Sequence, residues 1–260
     1  MINAGFNPRT YRELIYAWTY RTVQARYQQS LLGVLWAIAQ PVAQVAIYSF
    51  IFTVIVQVDT GGIPYPVFNF AAMAPWLFFS SSLADMVTSL VANMNLVTKI
   101  YFPREILPTA AMLARLLDFV IGLVIVLLLM FFYRLPIYPQ HLLFLPVIIL
   151  IQLVLMAGLG LIGAALNVFY RDIQHVFTLL LRIWMYACPV VYPVSRVPEE
   201  YRTLYFLNPM SGIIEAYRAV ILYGRFPDNT LYLATVVSCV IFVFGWFVFK
   251  RAEPKFADIV

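Results

Sequence analysis

Long apolar runs alternate with short turns that carry the charges, and this alternation limits the chain to a few architectures. The clearest case is Ala157–Pro193, AGLGLIGAALNVFYRDIQHVFTLLLRIWMYACPVVYP. One apolar run ends at Asn167, the turn Tyr170-Arg171-Asp172 follows, and a second run begins at Ile173. Arg or Asp at a bilayer centre costs roughly 2.5–3.5 kcal/mol on insertion scales, so the turn sits in water between two membrane spans. The second run ends in Pro189 and Pro193, which remove backbone donors and clash with the preceding turn. A helix broken at membrane depth is tolerated only where protein or a watery cavity covers the freed backbone. That favours a channel or transporter over a passive anchor.

The remaining composition agrees. Of 260 residues, 63% are hydrophobic and 11% charged, with mean hydropathy +0.86, far from a soluble domain. The expected fold is all-α and polytopic, a single transmembrane domain over 1–260. The net charge of +5 is scattered between apolar runs, so it fits cytoplasmic loops near anionic lipid and not a nucleic-acid surface. Cys188 and Cys239 lie inside apolar runs and read as buried thiols, not a disulfide framework. Residues 1–30 contain Arg9, Arg12, Arg21 and Arg26 and no uninterrupted apolar core, so they are not read as a cleavable signal peptide.

Taken in order, residues 9–28 predict an amphipathic helix in the headgroup plane, with Tyr11, Leu14, Ile15 and Trp18 on one face. Packing as a cap on a partner is the alternative. Six spans are expected: 31–56, 68–91, 105–132, 142–168, 173–192 and 230–249. In the first, Trp36, Gln40, Gln44 and Tyr48 recur every four residues and form one stripe. Such a stripe either lines a pore or bonds to a neighbouring helix. Asp85 in the second span is ionisable at depth, a functional hypothesis by default. Arg115 and Asp118 in the third are spaced to pair locally. Residues 93–109 read as an inside loop or a docking element. In the fourth span, Gly158, Gly160 and Gly163 match GxGxxG, but no strand precedes them, so a dinucleotide site is rejected. Ala157, Gly160 and Ala164 instead permit close helix approach. The segment 209–223, with Glu215 and Arg218, is short for a span and reads as re-entrant or interfacial. An even count puts both ends on the side richer in Lys and Arg, the cytoplasm, with 250–260 as a cytoplasmic tail.

Catalytic chemistry is not evident. His141 and His175 stand apart from any ligand cluster. There is no Gly-Lys-Ser/Thr, so an ATP-driven process would need its nucleotide site, with ATP and Mg, on a second polypeptide. No cofactor or metal is expected in this chain.

Five stretches, RYQQSLLGVLWAIAQP (26–41), KIYFPREILP (99–108), LNVFYRDIQH (166–175), CPVVYP (188–193) and LNPMSGIIEAYR (207–218), resemble by their order and spacing the membrane subunit of polysaccharide-exporting ABC transporters for O-antigen, capsule and teichoic acid. The resemblance covers essentially the whole chain. It implies a homodimer of six-span halves in the bacterial cytoplasmic (inner) membrane, two ATPase subunits, an interfacial N-terminal helix and an entrance loop at Leu32 and Gly33. It also implies a coupling element at Lys99, Tyr101, Phe102, Arg104 and Glu105, and a periplasmic gate at Pro209, Met210, Glu215 and Tyr217. The substrate would be a glycan on a polyprenyl pyrophosphate. Trp36, Gln40, Gln44 and Tyr48, joined by Trp184, Tyr186 and Tyr192, offer the flat aromatic faces and polar tips that suit sugars. Arg21 and Arg26 are the candidates for the pyrophosphate. Two alternatives stay open: an ABC permease for a lipid or drug, and an ion-coupled transporter using Asp85, Asp118 or Glu215.

Overall fold

The computed structural model describes residues 8–28, 35–100 and 102–257, which contain helices and turns and no strands. The expected entrance-loop residues Leu32 and Gly33, and Tyr101 of the coupling element, lie outside the described residues. Helix α1 is Pro8–Tyr27 and α2 is Leu35–Phe50, which runs on as a π-helical turn, Ile51–Ile55. Next come α3 (Tyr65–Ala92), α4 (Met94–Lys99), α5 (Ile106–Phe132), α6 (Pro139–Leu142), α7 (Leu145–Phe169) and α8 (Ile173–Tyr186). The chain closes with α9 (Glu199–Phe206), α10 (Pro209–Ile221), α11 (Thr230–Ala252) and a 3-10 turn, Glu253–Ala257.

Among the described residues, five helices are long and apolar enough to cross a membrane: Ile38–Ile55, Tyr65–Ala92, Ile106–Phe132, Pro139–Phe169 and Thr230–Phe256. The protein is a multi-pass membrane protein. The expected fifth span is shorter than its sequence pattern. Helix α8 has 14 residues, about 21 Å at the usual rise, because the chain turns at Ala187 before it reaches Pro189.

Helix α3 is the axis of the bundle. It packs against α2, α5, α7, α8 and α10, and 78% of its most apolar window is buried, against 6% for Ile38–Ile55. This explains its composition: Ala71, Ala72, Ala74, Ser82 and Ser89 alternate with Phe68, Phe70, Phe78 and Phe79, all buried, so small and large side chains interdigitate on every side.

Helix α1 lies alongside α5, its residue Tyr11 near Glu105 and its last turn on Asp118. Tyr11, Leu14, Ile15 and Trp18 are half-buried, while Arg9, Arg12, Tyr16, Tyr20 and Arg21 are exposed. The side that carries Tyr11, Leu14, Ile15 and Trp18 is thus partly covered by protein.

Glycines set the closest contact, between α7 and α11. A Cβ on Gly245 would fall 2.3 Å from the Gly158 carbonyl oxygen, and one on Gly158 would meet the Ile241 carbonyl at 2.7 Å. Gly160 instead faces Met86 and Gly163 faces Val87, both on α3, so the small residues of α7 serve two neighbours. Gly245→Val should force the helices apart and cost about 1–3 kcal/mol, as overpacking does. A lower midpoint of thermal unfolding in detergent is the measurement; an unchanged midpoint would contradict the packing.

Candidate functional site

Three features converge on the bundle edge formed by α2, α3, α5 and α8. The first is ionic. Arg26 Nη2 donates to Asp85 Oδ2 at 2.7 Å and its Nη1 to Asp118 Oδ2 at 3.1 Å. Arg115 Nε and Nη2 donate to the two oxygens of Asp85 at 2.7 and 3.1 Å, and Nη1 reaches Asp118 at 3.3 Å. The Tyr27 hydroxyl also donates to Asp118. Burial, and then the neighbouring Asp118 carboxylate, push the Tyr27 phenol up to about 12. The four charges sum to zero, and their side chains are 21–29% exposed. The i, i+3 pairing of Arg115 with Asp118 is as the sequence suggested. That Asp85 and Arg26 join them was not legible, because they come from helices 59 positions apart.

The second feature is the polar–aromatic stripe of α2. Trp36 and Gln40 line a cavity of about 100 Å³ with Phe70, Phe78, Ser81, Arg115 and Asp118. Trp36 is 55% exposed. Farther along, Gln44 has a buried Oε1 with no hydrogen-bond partner among the described residues. The Tyr48 ring lies tilted against that of Phe52 at 6.3 Å, and its hydroxyl lies beside Tyr186.

The third is the broken segment after α8. The Trp184 ring meets Phe79 edge-on at 5.4 Å, and its Nε1 donates to Asn208 Oδ1 at 3.0 Å. Asn208 caps α10 by accepting from the Met210 N–H, and its Nδ2 donates to the Ala187 carbonyl at 3.2 Å. The Tyr192 hydroxyl donates to the Tyr186 carbonyl at 2.8 Å, and the Tyr205 hydroxyl donates to that of Tyr192 at 3.2 Å. Burial, and then the bond to Tyr192, raise the Tyr205 phenol above its ordinary range. The carbonyls of Val190 and Val191 accept from Arg218 at 3.0 Å and Tyr65 at 2.7 Å. Asn208 and Tyr205 were missed by sequence reasoning. Asn208 had a readable signal, an Asn before a Pro at a helix start; Tyr205 had none.

The remaining expected site residues fall in two places. Pro209, Met210 and Tyr217 are buried in α10. Tyr217 donates to Gln152 Oε1 at 2.9 Å, and Gln152 Nε2 donates to the Pro75 carbonyl at 2.8 Å, so this face anchors α10 to α7 and α3. Glu215 pairs with the fully buried Arg218 at 3.1 Å, whose guanidinium lies 3.7 Å over the Phe68 ring. At the other end of the bundle, Glu105 is buried and pairs with Lys250 at 2.9 Å. Arg104 bonds to Glu253, Phe102 packs on the apolar cluster beneath, and Lys99 is exposed. Arg21 is exposed over the Trp18 ring, with no Asp or Glu bonded to it among the described contacts. No group of three His, Cys, Asp or Glu suited to a metal occurs among the described residues.

A family model described as ABC-2 type transporter matches residues 13–222. The chain belongs to the ABC-2 type transporter family. Its relatives in that family are similar over nearly their whole length. It is 34% identical to the O-antigen export system permease protein RfbA of Myxococcus xanthus, over 96% of each chain. It is 26% identical to an O-antigen export system permease protein RfbA of Klebsiella pneumoniae over 95% of each, and 25% identical to the polysialic acid transport protein KpsM of Escherichia coli over 94%. In this chain the ionic cluster sits where α1 meets two apolar helices. With either aspartate neutralised, the other can still serve both arginines; with both neutralised, two part-buried guanidinium groups are stranded. Asp85→Asn and Asp118→Asn should each lower thermal stability modestly, and the double variant should lose more than their sum by about 0.5 kcal/mol or more. A double-mutant cycle on unfolding midpoints checks this; strict additivity would contradict the shared network.

Proposed function

We propose that this chain is the transmembrane subunit of an ATP-driven exporter that moves a lipid-linked polysaccharide across the cytoplasmic membrane. The observation that carries the reading is similarity end to end, at 34% identity, to a permease of O-antigen export. The relatives' names, O-antigen export and polysialic acid transport, support a polysaccharide as the cargo.

On this reading α8 and the segment after it complete a sixth crossing, α9 and α10 are re-entrant, and both termini are cytoplasmic. Two copies of the chain pair, and two ABC ATPase subunits bind ATP and Mg and act on the 94–105 region. The exposed sides of α2 and α8 support pairing: Ile47, Phe50, Leu179 and Ile183 are each about 60% exposed, as are Trp36 and Tyr186. A second copy there would turn the polar–aromatic stripe into a conduit wall. A conduit should bind a sugar chain weakly at many points so that each can be left. Tyr and Trp give broad faces with a polar handle, and Gln40 and Gln44 add amide groups to the same stripe. For the pyrophosphate, exposed Arg21 is the readier cation, since Arg26 is engaged by two aspartates. Arg matches phosphate oxygens bidentately.

The same pairing weakens an ion-coupled reading, because Asp85 and Asp118 are each already held by two arginines. A lipid or drug permease would have less use for the stripe.

Deleting the gene should abolish the surface glycan, and the wild-type chain should restore it. Gln44→Ala with Tyr48→Ala should cut export roughly tenfold, the scale of one to two lost polar contacts of about 1 kcal/mol each. Normal glycan at normal protein level in the double variant would refute the conduit assignment.

A further inference from the structure

The ends of several helices meet around one ring from the C-terminal turn. Phe256 is fully buried. It lies 5.9 Å from Phe169 at the end of α7 and 5.6 Å from Phe249 in α11, and the Arg104 guanidinium sits 5.8 Å over its face. Leu90 of α3, Val97 of α4 and Leu107 of α5 share this core, which is separate from the main one.

A polar layer joins the same pieces. Glu253 Oε1 accepts from the Arg104 N–H at 3.2 Å, and the Glu253 carbonyl accepts from Arg104 Nη1. Glu253 Oε2 accepts from Lys250 at 2.9 Å, and Lys250 also donates to Glu105 at 2.9 Å. Arg104 Nη2 donates to the Val97 carbonyl of α4 at 3.3 Å. The two oxygens of Glu253 therefore hold two elements at once, the segment before α5 and the last turn of α11. Helix α4 has only six residues, too few to be stable on its own. Its outward side offers Asn95, Lys99 and Ile100. A push on so short a helix moves the bundle only if something stiff stands behind it, and Phe256 with the Glu253 bonds is what stands there.

We propose that the C-terminal turn is part of the coupling element, with Glu253 and Phe256 acting as positioning residues that make α4, the start of α5 and the end of α11 one lever. This rests on the reading that the ATPase acts on the 94–105 region. A stroke delivered at α4 then moves α11 together with α3 and α5. Glu253 touches neither nucleotide nor glycan. Its side-chain bonds are charge-assisted and so stronger than neutral ones, which suits a joint that must carry force.

The test uses the complete permease–ATPase complex in proteoliposomes with its glycolipid, measuring ATP hydrolysis, glycan moved per ATP, and ATPase capture. Glu253→Gln and Phe256→Ala should keep the ATPase bound and hydrolysing while glycan moved per ATP falls about fivefold or more, the low end of typical coupling factors. Phe256→Leu should restore most of the loss. Unchanged glycan per ATP in Glu253→Gln, with the complex intact, would overturn the lever, and that variant decides the matter if Phe256→Ala does not fold. Lys99→Glu with Ile100→Glu separates the two ideas. Loss of ATPase capture there supports the docking reading, and retained capture would overturn it and the lever with it.

Discussion

A polar group left alone in hydrocarbon is costly, and much of the architecture follows from how this chain limits that cost. An unpaired backbone carbonyl or N–H there costs several kcal/mol, yet the chain breaks its helix at Ala187 and turns through Pro189 and Pro193. The break survives because partners arrive from other helices: Arg218 on the Val190 carbonyl, Tyr65 on that of Val191 and Asn208 on that of Ala187. Arg218 in turn is tolerable at full burial because Glu215 and the Phe68 ring receive it. Helix α10 is thus fixed as much by what the broken segment needs as by its own apolar face.

The charges of α3 and α5 obey the same demand. Asp85 and Asp118 are each held by Arg26 and Arg115, so a helix outside the apolar spans is fastened to two inside them. Breaking one partner of a buried pair costs more than the pair contributes, since it strands a charge. The cluster therefore gives register more than stability. It sets where α1 ends and hence where the chain enters α2, whose stripe forms the bare side of the bundle.

The two ends of the bundle are built differently. One is a tight knot of Arg104, Glu105, Lys250 and Glu253 over a buried Phe256. At the other, the Tyr192 hydroxyl donates to the Tyr186 carbonyl and the Tyr205 hydroxyl donates to that of Tyr192. Strong charge-assisted bonds suit a joint that transmits force, and weak exchangeable ones suit a surface a sugar chain slides past. The difference agrees with a motor at the first end and a passage at the second.

The sequence alone was enough for the class, five of the apolar helices and the local Arg115–Asp118 pair, because each depends on periodicity or on neighbours a turn apart. It also carried the family, through motifs spread over the full length. Pairing across the chain was hidden from it. That Lys250 and Glu253 stand beside Glu105 and Arg104, and that Met210 and Tyr217 are buried in α10, could not be read from the sequence. Helix α8 read as a full span, and the turn at Ala187 cut it short. An apolar run records only that a segment avoids water. Whether lipid, another helix or a polar side chain from a hundred residues away satisfies it is decided by the packed structure.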